Sequence, residues 1–400
     1  MNTADNAFIL LCAALVMFMT PGLALFYAGM ARAKNVLGTA MQSFIMLGLI
    51  SVLWAMLGYT LAFGPDQGGL LGGLDYLFMA GVGLTNNGPV ENLPHITFMI
   101  YQCMFAVITP ALITGAMAER VRFTPLLVFS SLWLLVVYCP MAHWVWGGGW
   151  MQKLGVLDFA GGAVVHVSCA SAALAAALAT GKRQGWGRQA FIPHSLPLTV
   201  TGMGILWFGW FGFNAGSALA ANDIAANAFV TTHFAAAAGT LTWLVVEALA
   251  TGKATTLGAV SGAVAGLGAI TPASGFVTPM NGMLIGGLSG IICYGGVLLK
   301  NRFGYDDSLD VVGIHGVGGT WGLLAAGLFA SVNHATGMFY GNAAQAGTQL
   351  MAAAVTWAYC FLASFALLKL VNACMGLRVP VEDEIRGLDI SQHNEAGYQF

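Results

Sequence analysis

Eleven runs of predominantly apolar residues follow one another along the 400-residue chain, with charged residues confined to the stretches between them or to their ends. They fall at approximately 7–30, 39–63, 95–117, 124–142, 160–180, 196–216, 226–250, 257–272, 278–299, 310–331 and 349–375. Most approach the length, about 20 residues, at which an α-helix crosses the hydrocarbon of a bilayer. Hydrocarbon offers the backbone no hydrogen-bond partner, so each run must satisfy its own N–H and C=O groups as a helix. The pattern predicts an all-α membrane protein with about eleven transmembrane helices. The stretch from about Gly64 to Leu93, rich in Gly, Asn and Pro, reads as an external loop. Residues 1–375 read as one transmembrane domain, and residues 376–400 as a cytoplasmic tail too short for a second domain.

Composition strengthens this reading. Hydrophobic residues make up 58% of the chain, mean hydropathy is +0.77 and only 8% of residues are charged, against about a quarter in soluble domains. Such a chain needs lipid as solvent. Its 54 glycines suit a bundle in which helix backbones approach closely, because lipid gives apolar faces no reason to associate. The seven cysteines are scattered through apolar runs without C-x-x-C spacing and read as small packing residues. Net charge is near zero, and no basic block suggests nucleic acid.

The cations set the expected orientation. Arg32, Lys34, Arg120, Arg122, Lys182, Arg183, Arg188, Lys253, Lys300, Arg302, Lys369, Arg378 and Arg386 all fall on alternate connections or the span ends beside them, and Lys153 alone lies on the other side. The positive-inside rule then puts the N-terminus outside and the C-terminus in the cytoplasm. The first run lacks a basic segment before it and continues at transmembrane length, so it reads as a retained span rather than a signal peptide.

A weak repeat relates spans one to five and spans six to ten, with span eleven outside it. F-Y-A-G-M-A at Phe26–Ala31 resembles F-N-A-G-S-A at Phe213–Ala218, and an acid precedes a histidine in both span five (Asp158, His166) and span ten (Asp310, His315). Five spans per half make the repeat inverted, an arrangement that builds a substrate path near the midplane. At 1.5 Å per residue each histidine lies on the order of 8–12 Å deep, where the two rings can meet.

An ionisable group at bilayer depth is a functional candidate by default. The plain alternative is that each histidine bonds a neighbouring helix. Haem or metal ligation is a further alternative, but no third ligand recurs at matching depth. Asp158 reads either as a cap on span five or as a buried charge that favours a nearby cation. Asp310 reads as a cap on span ten, and Glu247 as a surface ion pair with Lys253. Tyr101, Phe105, Trp146, Trp210 and Phe213 cluster towards the outer ends of spans, where an interfacial aromatic belt is the ordinary explanation. Trp146, however, precedes Gly147–Gly149, which leave a ring face unshielded, and Ser217 lies at the same level. A ring face with a hydroxyl suits a small cation that donates hydrogen bonds. His95, His143 and His233 read as packing or interface residues.

At these residues the chain resembles the ammonium transporter (Amt/Mep/Rh) family. The carriers are I-T-P-A-L-I-T-G-A-M-A-E-R-V-R-F (108–123), H-W-V-W-G-G-G (143–149), L-D-F-A-G-G-A-V-V-H (157–166), G-W-F-G-F-N-A-G-S-A (209–218) and I-H-G-V-G-G (314–319). G-L-R-V-P-V-E-D-E-I-R-G-L-D-I-S-Q-H (376–393) resembles the tail of bacterial members, and Trp146 with Ser217 favours the Amt branch.

The resemblance implies a homotrimer with one pore per subunit in a bacterial inner membrane. It implies an outer ammonium site of Trp146, Tyr101 and Ser217, a stacked pair Phe105 and Phe213 beneath it, and a pore pair His166 and His315. It further implies Asp158 as a supporting acid, Trp210 and Thr271 near the path, and Gly376, Arg378, Gly387 and Asp389 as a regulatory tail for a PII-type signal protein. No cofactor is expected. Tyr101 stands where relatives often carry Phe, and Thr231 and His233 also depart from the pattern. The expected activity is recruitment of NH4+, its deprotonation and passage of NH3 with a separate proton relay. An electroneutral ammonia channel and a low-flux ammonium sensor are the alternatives.

Overall fold

The computed structural model describes residues 2–85 and 87–398. Ten of its helical segments are long and apolar enough to cross a membrane: α1 (Thr3–Met30), α2 (Ala33–Phe63), α3 (His95–Met117), α4 (Phe123–Lys153), α5 (Gly162–Thr180), α6 (Leu196–Gly216), α7 (Asp223–Thr251), α9 (Pro279–Phe303), α10 (Val312–Phe329) and α11 (Ala343–Met375). Between α7 and α9 lies the shorter apolar helix α8 (Thr256–Ile270). Eleven apolar runs in the sequence thus become eleven helices in the same order. The loop expected at 64–93 carries a two-strand ribbon, Asp66–Gln67 against Leu71–Gly72.

Small residues set the helix crossings. A Cβ on Gly202 of α6 would lie 2.3 Å from the backbone nitrogen of Phe26 on α1, and one on Gly266 of α8 would lie 2.4 Å from the carbonyl oxygen of Ala235 on α7. The two A-G motifs serve the same contact. Gly29 ends α1 against Thr199 of α6, and Gly216 ends α6 against Cys12 of α1 and the phenol of Tyr101.

Four of the spans contain one wide π turn: Trp54–Gly58 and Leu134–Tyr138 within α2 and α4, and Gly162–Val167 and Val312–Gly316 at the start of α5 and α10. The last two carry His166 and His315. Single π turns inside α-helices are frequent at functional sites.

Buried ion pairs tie together the connections on one side. The Glu119 carboxylate takes the backbone N–H of Arg32 at 2.7 Å and its guanidinium at 2.8 and 2.9 Å, with Arg183 at 3.3 Å. Asp306 takes the N–H of Arg183 and two guanidinium nitrogens, all at 2.8–2.9 Å. Burial would raise both carboxyls, but their arginine partners outweigh it and hold both below the ordinary carboxylate range.

The tail packs onto the same side as two short helices, α12 (Val381–Arg386) and α13 (Leu388–His393). Asp389 accepts from the N–H groups of Leu37 and Gly38 in α2 at 3.1 and 2.7 Å, and Lys34 Nζ donates to the carbonyls of Glu384 and Ile385. Arg378 donates to the carbonyl of Thr180 and to Glu384. Gly387 has φ +109°, and a Cβ there would meet the Lys34 carbonyl at 2.5 Å; Gly376 has φ +72°.

Two sequence expectations are corrected here. Asp310 does not cap α10. It has φ +62° and pairs with Lys300, while the backbone N–H of Val312 goes to Asp307 at 2.7 Å. Glu247 takes the N–H and hydroxyl of Thr255, both at 2.9 Å, and so fastens α7 to the start of α8 instead of pairing with Lys253.

Candidate functional site

The site is built outward from the histidine pair. His166 and His315 are 1% and 5% exposed and meet Nδ1 to Nδ1 at 3.2 Å. Their rings lie 11° from parallel with centroids 5.2 Å apart. One Nδ1 must donate and the other accept, so the pair shares a single proton on that edge. The Nε2 of His166 has no partner among the described residues.

Trp210 stacks on His166 at 5.6 Å and 16°, and its indole N–H donates to Thr271 Oγ1 at 2.9 Å. Thr271 in turn donates to the carbonyl of Leu267. Trp210 therefore touches the histidine directly, and Thr271 fixes the tryptophan.

Around the pair lies a narrow cavity of about 20 Å³. Met19, Leu23, Phe26, Ile108, Leu112, Val165, Leu206, Trp210, Phe213 and Val264 line it with the two histidines. That volume is about one water-sized molecule. A hydrated cation does not fit, and a bare one would lose its hydration for an almost wholly apolar wall, which costs several kcal/mol at least.

A second, wider cavity of about 180 Å³ is lined by Phe98, Gln102, Phe105, Trp146, Gln152, Phe159, Ser217 and Leu219. Its Phe105 packs on Phe213 at 4.3 Å between centroids, and Phe213 lines the narrow cavity. The two buried rings separate the two spaces. Phe105 also meets Trp146 edge-on at 6.0 Å.

Tyr101 does not present a ring face to this cavity. It is fully buried behind Phe105, edge-on at 5.0 Å, and its hydroxyl lies 2.9–3.0 Å from the carbonyls of Gly212 and Phe213 and 3.3 Å from Ser217 Oγ. Ser217 donates to the carbonyl of Phe213, so its remaining lone pair can accept from a ligand.

Phe98 and Gln102, not singled out from sequence, share the face of α3 with Phe105. The intervals of four and three residues were the legible signal.

Asp158 is 5% exposed and gives both carboxylate oxygens to backbone. Oδ1 takes the N–H groups of Gly161 and Gly162 at 2.9 and 2.5 Å, and Oδ2 those of Ala163 and Val164 at 2.8 and 3.2 Å. Its carbonyl accepts the Trp146 indole N–H at 2.9 Å. Of the two sequence readings, the cap describes its contacts. One residue thus holds both the Trp146 ring and the start of the helix that carries His166.

The remaining histidines fall elsewhere. His95 bonds Tyr59 at 2.6 Å, His143 sits between the Ala62 carbonyl and Asp66, and His233 is exposed beside Trp207. Thr231 is buried and donates to the Ser274 carbonyl. The side chains expected in the tail cluster lie away from both cavities, against α2 and α5.

The profile of the Ammonium Transporter Family matches residues 7–398. The ammonium transporter of Bacillus subtilis (strain 168) is 50% identical over 100% of this chain and 99% of its own. Ammonium transporter Amt1 of Archaeoglobus fulgidus is 48% identical with both chains covered in full. Among solved structures, Saccharomyces cerevisiae Mep2 superposes with a TM-score of 0.91 at 37% identity, over 96% of this chain and 89% of that one. A sensor Amt protein superposes with a TM-score of 0.91 at 28% identity, over 98% of each. With the family profile spanning nearly the whole chain and relatives at half identity along its full length, the protein belongs to the ammonium transporter family.

Proposed function

We propose that this transporter recruits NH4+ in the outer cavity, strips its proton near Phe105 and Phe213, and conducts NH3 past His166 and His315 while the proton crosses separately. The reading rests on one observation: the only ionisable side chains lining the narrow cavity, among the described residues, are the two histidines. Neutral ammonia escapes most of the desolvation cost that a cation meets there.

In the outer cavity the Trp146 face, the Phe105 ring and the free lone pair of Ser217 suit a cation with N–H donors. A desolvated cation–π contact contributes about 2 kcal/mol. Tyr101 and Asp158 act from behind, by fixing Ser217, Phe105 and Trp146. Reversing the tautomers of the imidazole pair hands a proton from one side to the other.

The same reading gives an N-terminus outside, a cytoplasmic tail, a bacterial inner membrane and a homotrimer. The regulatory face then comprises Gly376, Arg378, Gly387 and Asp389, engaged by a PII-type signal protein.

The test is a current measurement on solid-supported membranes bearing reconstituted protein after an ammonium pulse. A current lost in His166→Ala and His315→Ala supports the relay. Ammonia flux without current makes the protein an electroneutral channel, and binding without flux makes it a sensor.

A further inference from the structure

Asp307 repeats Asp158 with one difference. Each acid stands eight residues before a pore histidine, and each accepts from backbone at the head of the wide turn that carries it. Asp158 has both oxygens occupied by four N–H groups. Asp307, wholly buried, uses Oδ2 for Val312, and its Oδ1 has no hydrogen-bond partner among the described residues.

An unsatisfied buried carboxylate oxygen disfavours the ionised form. Burial, followed by the neighbouring Asp310, pushes the Asp307 carboxyl up to about 6, against the opposing pull of Lys300 and the backbone donors of the turn. The groups that face it are Tyr27 of α1, Arg120 beyond α3, Cys169 of α5, Lys300 of α9, and Tyr305 and Asp310 in its own connection. Lys300 donates to the Asp307 carbonyl at 3.2 Å and pairs with Asp310. Both Lys300 and Asp310, the pair beside Asp307, line a cavity of about 570 Å³.

We propose that Asp307 is a proton-sensitive positioning residue for His315: as a carboxylate it clamps the first turn of α10, and on protonation it releases that turn and slows conduction. A hydrogen bond to an ionised acceptor is roughly twice as strong as a neutral one, so protonation weakens the clamp without abolishing it. The carboxyl is raised, so the ionised, clamping form prevails above about pH 6 and is lost as pH falls through that value. Asp158 has no empty acceptor of this kind, because four backbone N–H groups occupy its two oxygens. The inference rests on conduction past the histidine pair.

The experiment holds outer pH and the ammonium pulse constant in proteoliposomes of one orientation, and varies the pH on the Asp307 side. Wild-type current should fall severalfold with a midpoint near pH 6. Asp307→Asn should give a reduced current without that dependence, and Asp307→Glu should restore a dependence with a moved midpoint. Asp310→Asn should keep the dependence but shift it to lower pH, because a neighbouring negative charge is gone.

An Asp307→Asn protein with the wild-type pH profile overturns the proposal. Should that variant not fold, infrared spectra of wild-type protein decide instead: a buried carboxylic C=O band must grow as pH falls through about 6, and its absence overturns the proposal. A wild type that passes ammonia with no dependence on this pH overturns Asp307 alone, whereas one that binds ammonium and passes no ammonia at any pH overturns the conduction reading itself.

Discussion

His166 and His315 meet through their Nδ1 atoms at 3.2 Å, with near-parallel rings. Because each is held by apolar neighbours on its other sides, a carboxylate in place of either imidazole would put a fixed acceptor and a negative charge into the narrow cavity. His166→Asp should therefore let an alkali cation compete with or follow the substrate path. Potassium uptake into liposomes, absent in wild type and present in the variant, is the expected result; unchanged selectivity would remove the pair from the filter.

Trp146 offers its ring to the wider cavity while its N–H is anchored on the Asp158 carbonyl. Trp146→Leu keeps an apolar wall and loses the π face. A loss of about 2 kcal/mol corresponds to roughly a tenfold or greater rise in the ammonium concentration at half-maximal current. Maximal transport should persist in part, which a concentration series of currents would show.

Asp158 joins two parts of the site through one residue. Asp158→Ala frees four N–H groups at the head of α5, and each charge-assisted bond contributes about 1.5–3 kcal/mol. Transport should drop at least tenfold and thermal stability should fall with it. Asp158→Asn, which keeps one acceptor oxygen, should lie between Ala and wild type in both assays.

Gly202 sits where α1 and α6 are closest. Gly202→Val has no space for its Cβ 2.3 Å from the Phe26 nitrogen, so the helices must part at a cost of about 1–3 kcal/mol. A lower melting temperature in detergent, with less folded protein recovered, is the measurement. Gly48, with open space around its Cβ position, is the control expected to tolerate Ala.

The connections on the tail's side of the bundle are held by carboxylates with depressed pKa values, and the sign of their acid response follows. Glu119 ionises more readily in the folded protein than its ordinary value of 4.5, so its ion pairs contribute stability above that pH and lose it as pH falls through the lower folded value. Asp389→Ala removes two caps at the head of α2, worth about 1–2 kcal/mol. Protease cleavage within the tail should therefore rise in Asp389→Ala at neutral pH, whereas the wild-type melting temperature should fall only as strong acid protonates Glu119.

The span count, the all-α class and the pairing of the two histidines were legible in the chain because they depend on local facts: apolar run length, helix rise and the depth of an ionisable residue. The motif around Trp146 and Ser217 was legible for the same reason, since neighbouring glycines signal an unshielded ring. Reading Asp310 as the cap of α10 failed on geometry, because its backbone turns to positive φ before the helix begins and Asp307 supplies the carboxylate. The equal eight-residue spacing of Asp158 and Asp307 to their histidines was present in the sequence, but three acids, Asp306, Asp307 and Asp310, stood close to His315 and periodicity alone does not choose among them.

What the sequence by itself determined was that this chain dissolves in lipid as a helical bundle and carries a matched pair of intramembrane histidines. Tertiary structure alone decided that Tyr101 turns its hydroxyl to the backbone of α6 instead of its ring to the cavity, that Phe98 and Gln102 complete the wall of the wider cavity, that Asp158 spends all its acceptors on backbone N–H groups, and that Asp307 leaves one acceptor empty among the described residues. Each of these depends on which groups from distant spans meet, and hydrogen-bond satisfaction and side-chain direction at a crossing are properties of the assembled bundle, not of any one run of residues.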